Sequence, residues 1–464
     1  MASSRFPLGE KPLPAALRLS KLIGPSFILL GLGLGSGEVI LWPYLASNYG
    51  LGMVWAIVLG VTMQFFINME VERYALVYGE SIFVGFARIG RFLPLWFLLS
   101  TFFGFGWPGI GLAGATLLAD AFGIGNVRLV AILVFIVIGL ILSMGRVLYK
   151  TVENLEKIVI AVGVPFIFLL ALFLADRSDY VALAKGVVGI GEGFTFLPVG
   201  ISIATFLGAL AYAGAGGNLN LAQSCYVRDK GYGMGLYAKK ITSLIGSHTH
   251  DEAISLVGNT FPPTEEHVRR FHTWWRVINL EHFIVFFCLG LFTMLTLSLL
   301  AYVTTFGVGG TEQGIGFLVV EAVDIGARTL PFFATLFLLA TGIMLLSTQL
   351  TVLDSTSRIM MENVLLLGHG KKFHVARTYY GILWLQILFG IIIFTIGFDQ
   401  PRDLIILGAV INAFTMFSYT GLLLYVSNRV LHPQLRPRLF RNLILLGTFL
   451  FFGVFCTLTI ASQF

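Results

Sequence analysis

The chain has 464 residues, of which 57% are hydrophobic and only 12% charged. Soluble domains carry about twice that share of charge, so a water-soluble globular protein is excluded and a polytopic membrane protein is expected. The net charge of +6 is then read through topology rather than as a nucleic-acid footprint. Three cysteines at wide spacing, Cys225, Cys288 and Cys456, make neither a disulfide framework nor a metal motif.

In chain order, Met1 to Lys21 is polar, basic and proline-containing, and the apolar run after it is too long for a signal peptide. A membrane span needs about 20 apolar residues. By that measure eleven spans are expected, at about 22–48, 51–69, 93–119, 127–145, 157–175, 197–227, 278–304, 330–353, 378–398, 403–428 and 440–461. The longest polar stretch, Arg228 to Arg276, links spans 6 and 7. Its mixed-charge part, Thr264 to Arg270, reads as an amphipathic surface helix. With the N-terminus cytoplasmic, 25 of the 30 Lys and Arg residues fall on the cytoplasmic side. That bias places an inner-membrane chain N-terminus in and C-terminus out.

Span 1 contains Gly31-Leu32-Gly33-Leu34-Gly35-Ser36-Gly37-Glu38. A glycine repeat inside a membrane helix has two readings. Small residues let helices pack closely, or they let the helix open and offer backbone groups to a ligand, which lipid tolerates only around a cavity. Span 6 carries a second such stretch, Ala213-Gly214-Ala215-Gly216-Gly217-Asn218. Paired breaks in corresponding helices mark the binding site of transporters built from inverted repeats. They favour the second reading.

Around these breaks the chain resembles the Nramp family of proton-coupled divalent-metal transporters. Gly24-Pro25-Ser26-Phe27 opens span 1 as in that family. Asn218-Leu219-Asn220-Leu221 is similar to its Asn-Leu-Tyr-Leu, Leu155-Glu156-Lys157 fits before span 5, and Ser355 to Glu362 resembles the end of its span 8. The resemblance covers roughly residues 20 to 430. It implies an all-α integral membrane protein of the amino-acid-transporter-like (LeuT-type) fold, with two inverted repeats of five helices plus an eleventh helix. The implied units are a cytoplasmic segment 1–21, repeats at 22–175 and 197–428 with the loop 228–276, and a peripheral helix 440–461.

The chain departs from the family at its metal motifs. Where the family has Asp-Pro-Gly-Asn, this sequence has Gly35-Ser36-Gly37-Glu38, and where it has Met-Pro-His, this sequence has Ala215-Gly216-Gly217. A further family histidine falls on Ala222, and residues 92–119 of span 3 contain no carboxylate but do contain Trp107-Pro108-Gly109. Thioether and imidazole ligands favour transition metals. Their absence leaves an oxygen set suited to a hard divalent cation, with Glu38 as the one charged ligand.

The expected site therefore comprises Gly35, Ser36, Gly37, Glu38, Gly214, Ala215, Gly216, Gly217, Asn218 and Gln223. The alternative is a non-metal solute, an anion held by free backbone N–H groups or an organic compound lined by Tyr212, Trp107, Trp42 and Tyr44. Asn412 and Gln349 either face the pathway or join helices. Glu70, Glu72 and Arg73 read as solvated boundary charges or a gate pair, and Asp354 as a helix-end residue near Arg358. Glu281-His282 and His248/His250 lack metal-site spacing. Expected partners are a small ion or solute and the bilayer, with a proton as a candidate coupling ion; no cofactor, nucleic acid or enzymatic step is implied.

Overall fold

The computed structural model describes residues 6–17, 24–144, 148–238, 256–309, 314–368, 375–397 and 400–461. Among these, nine helices are long and apolar enough to cross a membrane: Pro25–Tyr49, Leu51–Tyr78, Leu93–Phe122, Lys150–Leu174, Glu265–Thr305, Pro331–Leu367, Val375–Ile396, Pro401–Val430 and Leu439–Ala461. They are spans 1, 2, 3, 5, 7, 8, 9, 10 and 11. Span 4 is the shorter apolar helix Val127–Ser143. Span 6 is broken into Ile203–Ala211 and Leu219–Lys230. The described residues thus contain the eleven expected spans.

Burial sorts the spans into centre and rim. The apolar stretch of span 1 is 94% buried, whereas that of span 11 is 28% buried. Span 11 buries a single stripe, Leu445, Thr448, Phe452, Cys456 and Thr459, at the spacing of one helical face. It packs on spans 10 and 2 and on the first half of span 6, and its other faces are exposed. The first half of span 1 is instead enclosed by span 5, the second half of span 6 and span 8. Its glycines make that enclosure possible: a Cβ at Gly31 would lie 2.1 Å from the Glu156 carboxylate of span 5, and one at Gly35 would lie 2.5 Å from Thr348 of span 8.

Two expectations are corrected at the bundle face that carries the N-terminus. The segment expected as a separate surface helix is the beginning of span 7. Glu265–His282 runs through a π-helical turn, Phe283–Leu289, into Gly290–Thr305 without interruption. Glu265, Glu266, Arg269 and Arg276 stay out, while Phe271 and Trp274 and, at the end of this stretch, Glu281 and His282 are buried. It is fastened to the N-terminal segment, with Trp274 Nε1 donating to the Pro14 carbonyl and Arg270 Nη1 to the Leu13 carbonyl. In addition, Gly9–Glu10 pairs in parallel with Asn259–Thr260. His248 and His250 lie outside the described residues.

The second correction concerns the boundary charges. Glu70, Glu72 and Arg73 are buried rather than solvated, and Arg73 Nε donates to Glu70 Oε2 at 2.6 Å. Span 8 continues to Leu367, so Asp354 is an interior residue of the helix. Arg358, fully buried, pairs with Asp354 at 2.9 Å and with Asp229 of span 6. Arg228 joins the same network through Asp229, at 3.0 Å, and through Glu362. The Tyr226 and Tyr379 hydroxyls donate to Asp354 at 2.9 and 2.7 Å. These pairs lock spans 6 and 8 together at this face.

Removing one partner of a buried ionic network leaves uncompensated charge. Arg358→Met is therefore expected to destabilise the purified protein by about 3–5 kcal/mol, read as a fall in thermal midpoint in detergent. Arg270→Met, which breaks a partly exposed pair with Glu266, is expected to cost no more than about 1 kcal/mol. Equal effects of the two would show that the inner network does not carry stability.

Candidate functional site

The two interruptions differ in kind. Span 1 is α-helical to Gly33 and resumes as a π-helical turn, Ser36–Leu41, before the helix Trp42–Tyr49. Gly35 sits between them at φ −92°, ψ −87°. A π-turn displaces the backbone ladder by one residue and often marks a functional position in a helix. Span 6 is opened more widely, over residues 212–218. Three glycines there, Gly214, Gly216 and Gly217, have φ of 133°, 74° and 44°, values that side-chain-bearing residues adopt at a cost. The expectation of two unwound middles holds for span 6; in span 1 the helix is loosened rather than opened.

The interruptions face each other. A Cβ at Gly37 would lie 1.7 Å from the Tyr212 carbonyl oxygen, and one at Gly33 would lie 3.1 Å from the Gly214 carbonyl carbon. Backbone meets backbone, so the contact requires glycine on the span 1 side. Gln64 of span 2 holds the opened segment in shape: its Nε2 donates to the Ala211 carbonyl at 3.0 Å and its Oε1 accepts from the Gly216 N–H at 3.0 Å. Two backbone groups released by the break are thereby satisfied, as burial in a membrane protein demands. Thr348 Oγ1 donates to the Gly31 carbonyl at 2.7 Å, which ties span 8 to the last turn of the first half of span 1.

Glu38 is fully buried at this junction. Its Oε2 accepts from Thr293 Oγ1 of span 7. Its Oε1 has no hydrogen-bond partner among the described residues. That oxygen lies 3.3 Å from where a Cβ at Gly33 would stand, beside the Gly214 backbone, and 3.9 Å from the equivalent point at Gly290. An unpaired buried carboxylate oxygen is costly unless it has a ligand.

Asn218 directs its Nδ2 to the Ser100 and Thr101 hydroxyls of span 3, at 2.9 and 2.8 Å, and its Oδ1 has no partner among the described residues. Asn412 of span 10 donates to the Gly104 carbonyl at 3.0 Å and to the Tyr212 hydroxyl at 2.9 Å, joining spans 3, 6 and 10. Its side chain also occupies the place beside Gly217. A Gly111 N–H donates to Gln349 Oε1 at 2.9 Å, joining spans 3 and 8.

Not all of the expected residues converge. Gly37 and Glu38 stand against Tyr212 and Gly214, whereas Gly35 faces Thr348 of span 8 and Gly217 faces Asn412 of span 10, and Ala215 is buried within the opened segment. Ser36 belongs to the π-turn, and its side chain lies outside the described set. Gln223 points elsewhere, donating through Nε2 to Glu72 Oε1 at 2.5 Å. Of the aromatic residues, Tyr212 and Trp107 line a small void with Phe105 and Gln349. Trp42 is buried, and Tyr44 lies under the Arg402 guanidinium at 4.9 Å.

Three residues were not anticipated from sequence: Thr293, Gln64 and Thr348. Gln64, a polar residue in the middle of an apolar span, carried a usable signal; the threonines did not, since a helical threonine commonly bonds its own backbone.

Two interrupted helices in contact at the centre of an α-helical membrane bundle are a feature of the LeuT-type fold, and solved structures share that fold with this chain. A mutant manganese transporter from Eremococcus coleocola is 15% identical to this chain, covers 99% of it and 90% of its own length, and superposes with a TM-score of 0.70. Mhp1, a nucleobase-cation-symport-1 family transporter, is 12% identical over 97% of this chain and 96% of its own, with a TM-score of 0.56. MhsT, in complex with L-phenylalanine, is 14% identical over 98% and 100%, with a TM-score of 0.53. No family model and no curated protein matches the chain. Likeness at this identity is a likeness of fold.

Gly37→Ala is expected to force the two interruptions apart, with overpacking costing about 1–3 kcal/mol. A thermal midpoint equal to that of the unmodified chain would mean that the breaks do not touch.

Proposed function

We propose that the protein is a secondary transporter that works by alternating access, with its substrate site at the junction of spans 1 and 6. The observation that carries this reading is the unpartnered, buried Glu38 Oε1 beside the Gly214 backbone. Paired interruptions of this kind serve transporters as ligand sites near the bilayer midplane. The first and sixth spans then begin the two inverted repeats, at 22–175 and 197–428, and the basic residues put the N-terminus in the cytoplasm and the C-terminus outside.

The substrate we assign is a small hard cation, foremost a divalent one such as magnesium. Two features support an ion over an organic solute. The interruptions are in direct backbone contact, leaving no room between Gly37 and Tyr212. The polar groups at hand are oxygens: Glu38 and the span 6 carbonyls, that of Tyr212 against Gly37 among them. Magnesium keeps several waters and needs only one or two carboxylates. No cluster of three His, Cys, Asp or Glu side chains among the described residues is placed to hold a metal ion, which separates this site from a transition-metal site. The void beside Tyr212 and Trp107 favours a second reading, a non-metal solute entering between spans 3, 6 and 10.

Calorimetric titration of the purified chain with magnesium, calcium and manganese, paired with flux into proteoliposomes, separates the two. Glu38→Gln, which keeps the side chain's size, is expected to weaken cation binding by at least about tenfold, or 1.4 kcal/mol, and to abolish cation-driven flux. Cation flux unchanged by Glu38→Gln would overturn the site assignment. Absence of heat with every cation would favour the organic solute.

A further inference from the structure

Away from the junction, toward the N-terminal face of the bundle, lies a second group of buried polar side chains. Glu281 and His282 sit in span 7, Glu72 in span 2, Ser26 at the start of span 1 and Gln223 in span 6, and all five are buried. Ser26 Oγ stands between the two halves of the group, bonded to Glu281 Oε2 and 2.8 Å from His282 Nδ1. His282 Nδ1 is 3.3 Å from Glu72 Oε1, which also accepts from Gln223 Nε2. The imidazole is stacked between Phe65 and Phe286, with ring centroids 5.6 and 4.7 Å away. Among the described residues, Glu72 Oε2, His282 Nε2 and Gln223 Oε1 have no hydrogen-bond partner.

Among the described residues, neither carboxylate of this group is bonded to a lysine or arginine. The cations within electrostatic reach are Lys230 and Lys157 for Glu281 and Arg441 for Glu72. Each is committed elsewhere: Lys230 and Lys157 bond Glu153, at 2.7 and 2.6 Å, and Arg441 bonds Glu70 at 3.1 Å. Tyr232 faces both carboxylates from the end of span 6 and supplies no positive charge. The wider network, Glu70, Glu72, Glu153 and Glu281 against Arg73, Arg441, Lys157 and Lys230, is neutral, but Glu72 and Glu281 stand in it without a hydrogen-bonded lysine or arginine, and burying a carboxylate so is disfavoured. The three side chains are not placed as a metal-ligand set. A proton, bonded to one carboxyl and shared with the other, is the smallest ligand that supplies the missing partner.

We propose that Glu72, Glu281 and His282, bridged by Ser26, form a buried proton-binding site separate from the span 1–span 6 junction, holding a proton shared between the two carboxylates. The bridge supplies the route. With its Nε2 proton in place, His282 takes the proton from Glu72 Oε1 on Nδ1 as a transient imidazolium and gives it to Ser26 Oγ as the Ser26 hydroxyl proton passes to Glu281 Oε2. The reverse shift returns it, and atoms and charge are conserved at each step. The site is also mechanically placed. Glu281 Oε1 accepts from the Gly24 N–H at 3.4 Å, so the same carboxylate that takes the proton caps the first half of span 1. A negative charge at a helix N-terminus is favourable. Protonation of Glu281 removes that charge and loosens the hold on the half-helix that ends at the junction.

The test needs no transport and therefore fails or succeeds independently of the transporter reading. Infrared difference spectra of the purified full chain, taken as the pH is stepped from alkaline to acid, report the C=O stretch of buried protonated carboxyls. Glu72→Gln and Glu281→Gln preserve shape and hydrogen-bond acceptors; each is expected to remove one carboxyl's intensity and to move the titration midpoint of the other. Ser26→Ala leaves every charge in place and is expected to uncouple the two, so that both titrate independently. Variant spectra identical to that of the unmodified chain, or effects of E72Q and E281Q that merely add, would overturn the shared-proton site. So would a titration that responds to added magnesium and not to pH. Elution of each variant as a single species on size exclusion establishes that it is folded.

Discussion

The close approach of two backbones, Gly37 against the Tyr212 carbonyl and Gly33 against Gly214, is the constraint on which the rest of the molecule depends. Peptide groups in a membrane interior must be satisfied internally. An interrupted helix is therefore tolerable only if its neighbours supply what the helix no longer does. The neighbours here are specific: Gln64 for Ala211 and Gly216, Thr348 for Gly31, and Asn412 for Gly104 and Tyr212. Each comes from a different surrounding span. The interruptions thereby dictate which helices stand around them, and the outer spans need only a single apolar stripe.

Charge is distributed to match. Toward the N-terminal face, spans 6 and 8 are joined by a ring of buried arginines and carboxylates in which every charged group meets an opposite charge. Among the described residues, Glu38, Glu72 and Glu281 have no lysine or arginine bonded to them. Buried charge without a permanent partner is expensive in a bilayer and marks function. The bundle thus separates structural charge, which is paired, from charge that awaits a ligand. One ligand is proposed for each place: a cation at the junction and a proton at the cluster.

Much of this order was legible in the sequence. Eleven apolar runs gave eleven spans because a bilayer demands length and hydrophobicity, both of which are local properties. The glycine runs of spans 1 and 6 were visible for the same reason, since the freedom of a glycine does not depend on its surroundings. Errors came where a local rule was overridden. Glu72 at the end of span 2 looked like a solvated boundary charge, and the polar start of span 7 looked like a separate surface helix. Both judgements assumed that the bilayer edge follows the hydropathy edge. Span 7 instead continues as one helix past its apolar part, and the N-terminal segment covers its Phe271 and Trp274 side.

Taken alone, the sequence determined the number of apolar spans and the two glycine-rich places where the helical ladder fails, and it put a carboxylate, Glu38, directly after the first of them. Tertiary structure alone decided which groups meet. It placed Thr293 and not a span 6 side chain on Glu38, turned Gln223 away from the junction toward Glu72, and brought Ser26 between Glu281 and His282, some 255 residues away in the chain. The physical reason is that hydropathy and backbone freedom are carried by each residue itself. A hydrogen bond or charge pair depends on the rotation of two helices about their axes, and packing fixes that rotation.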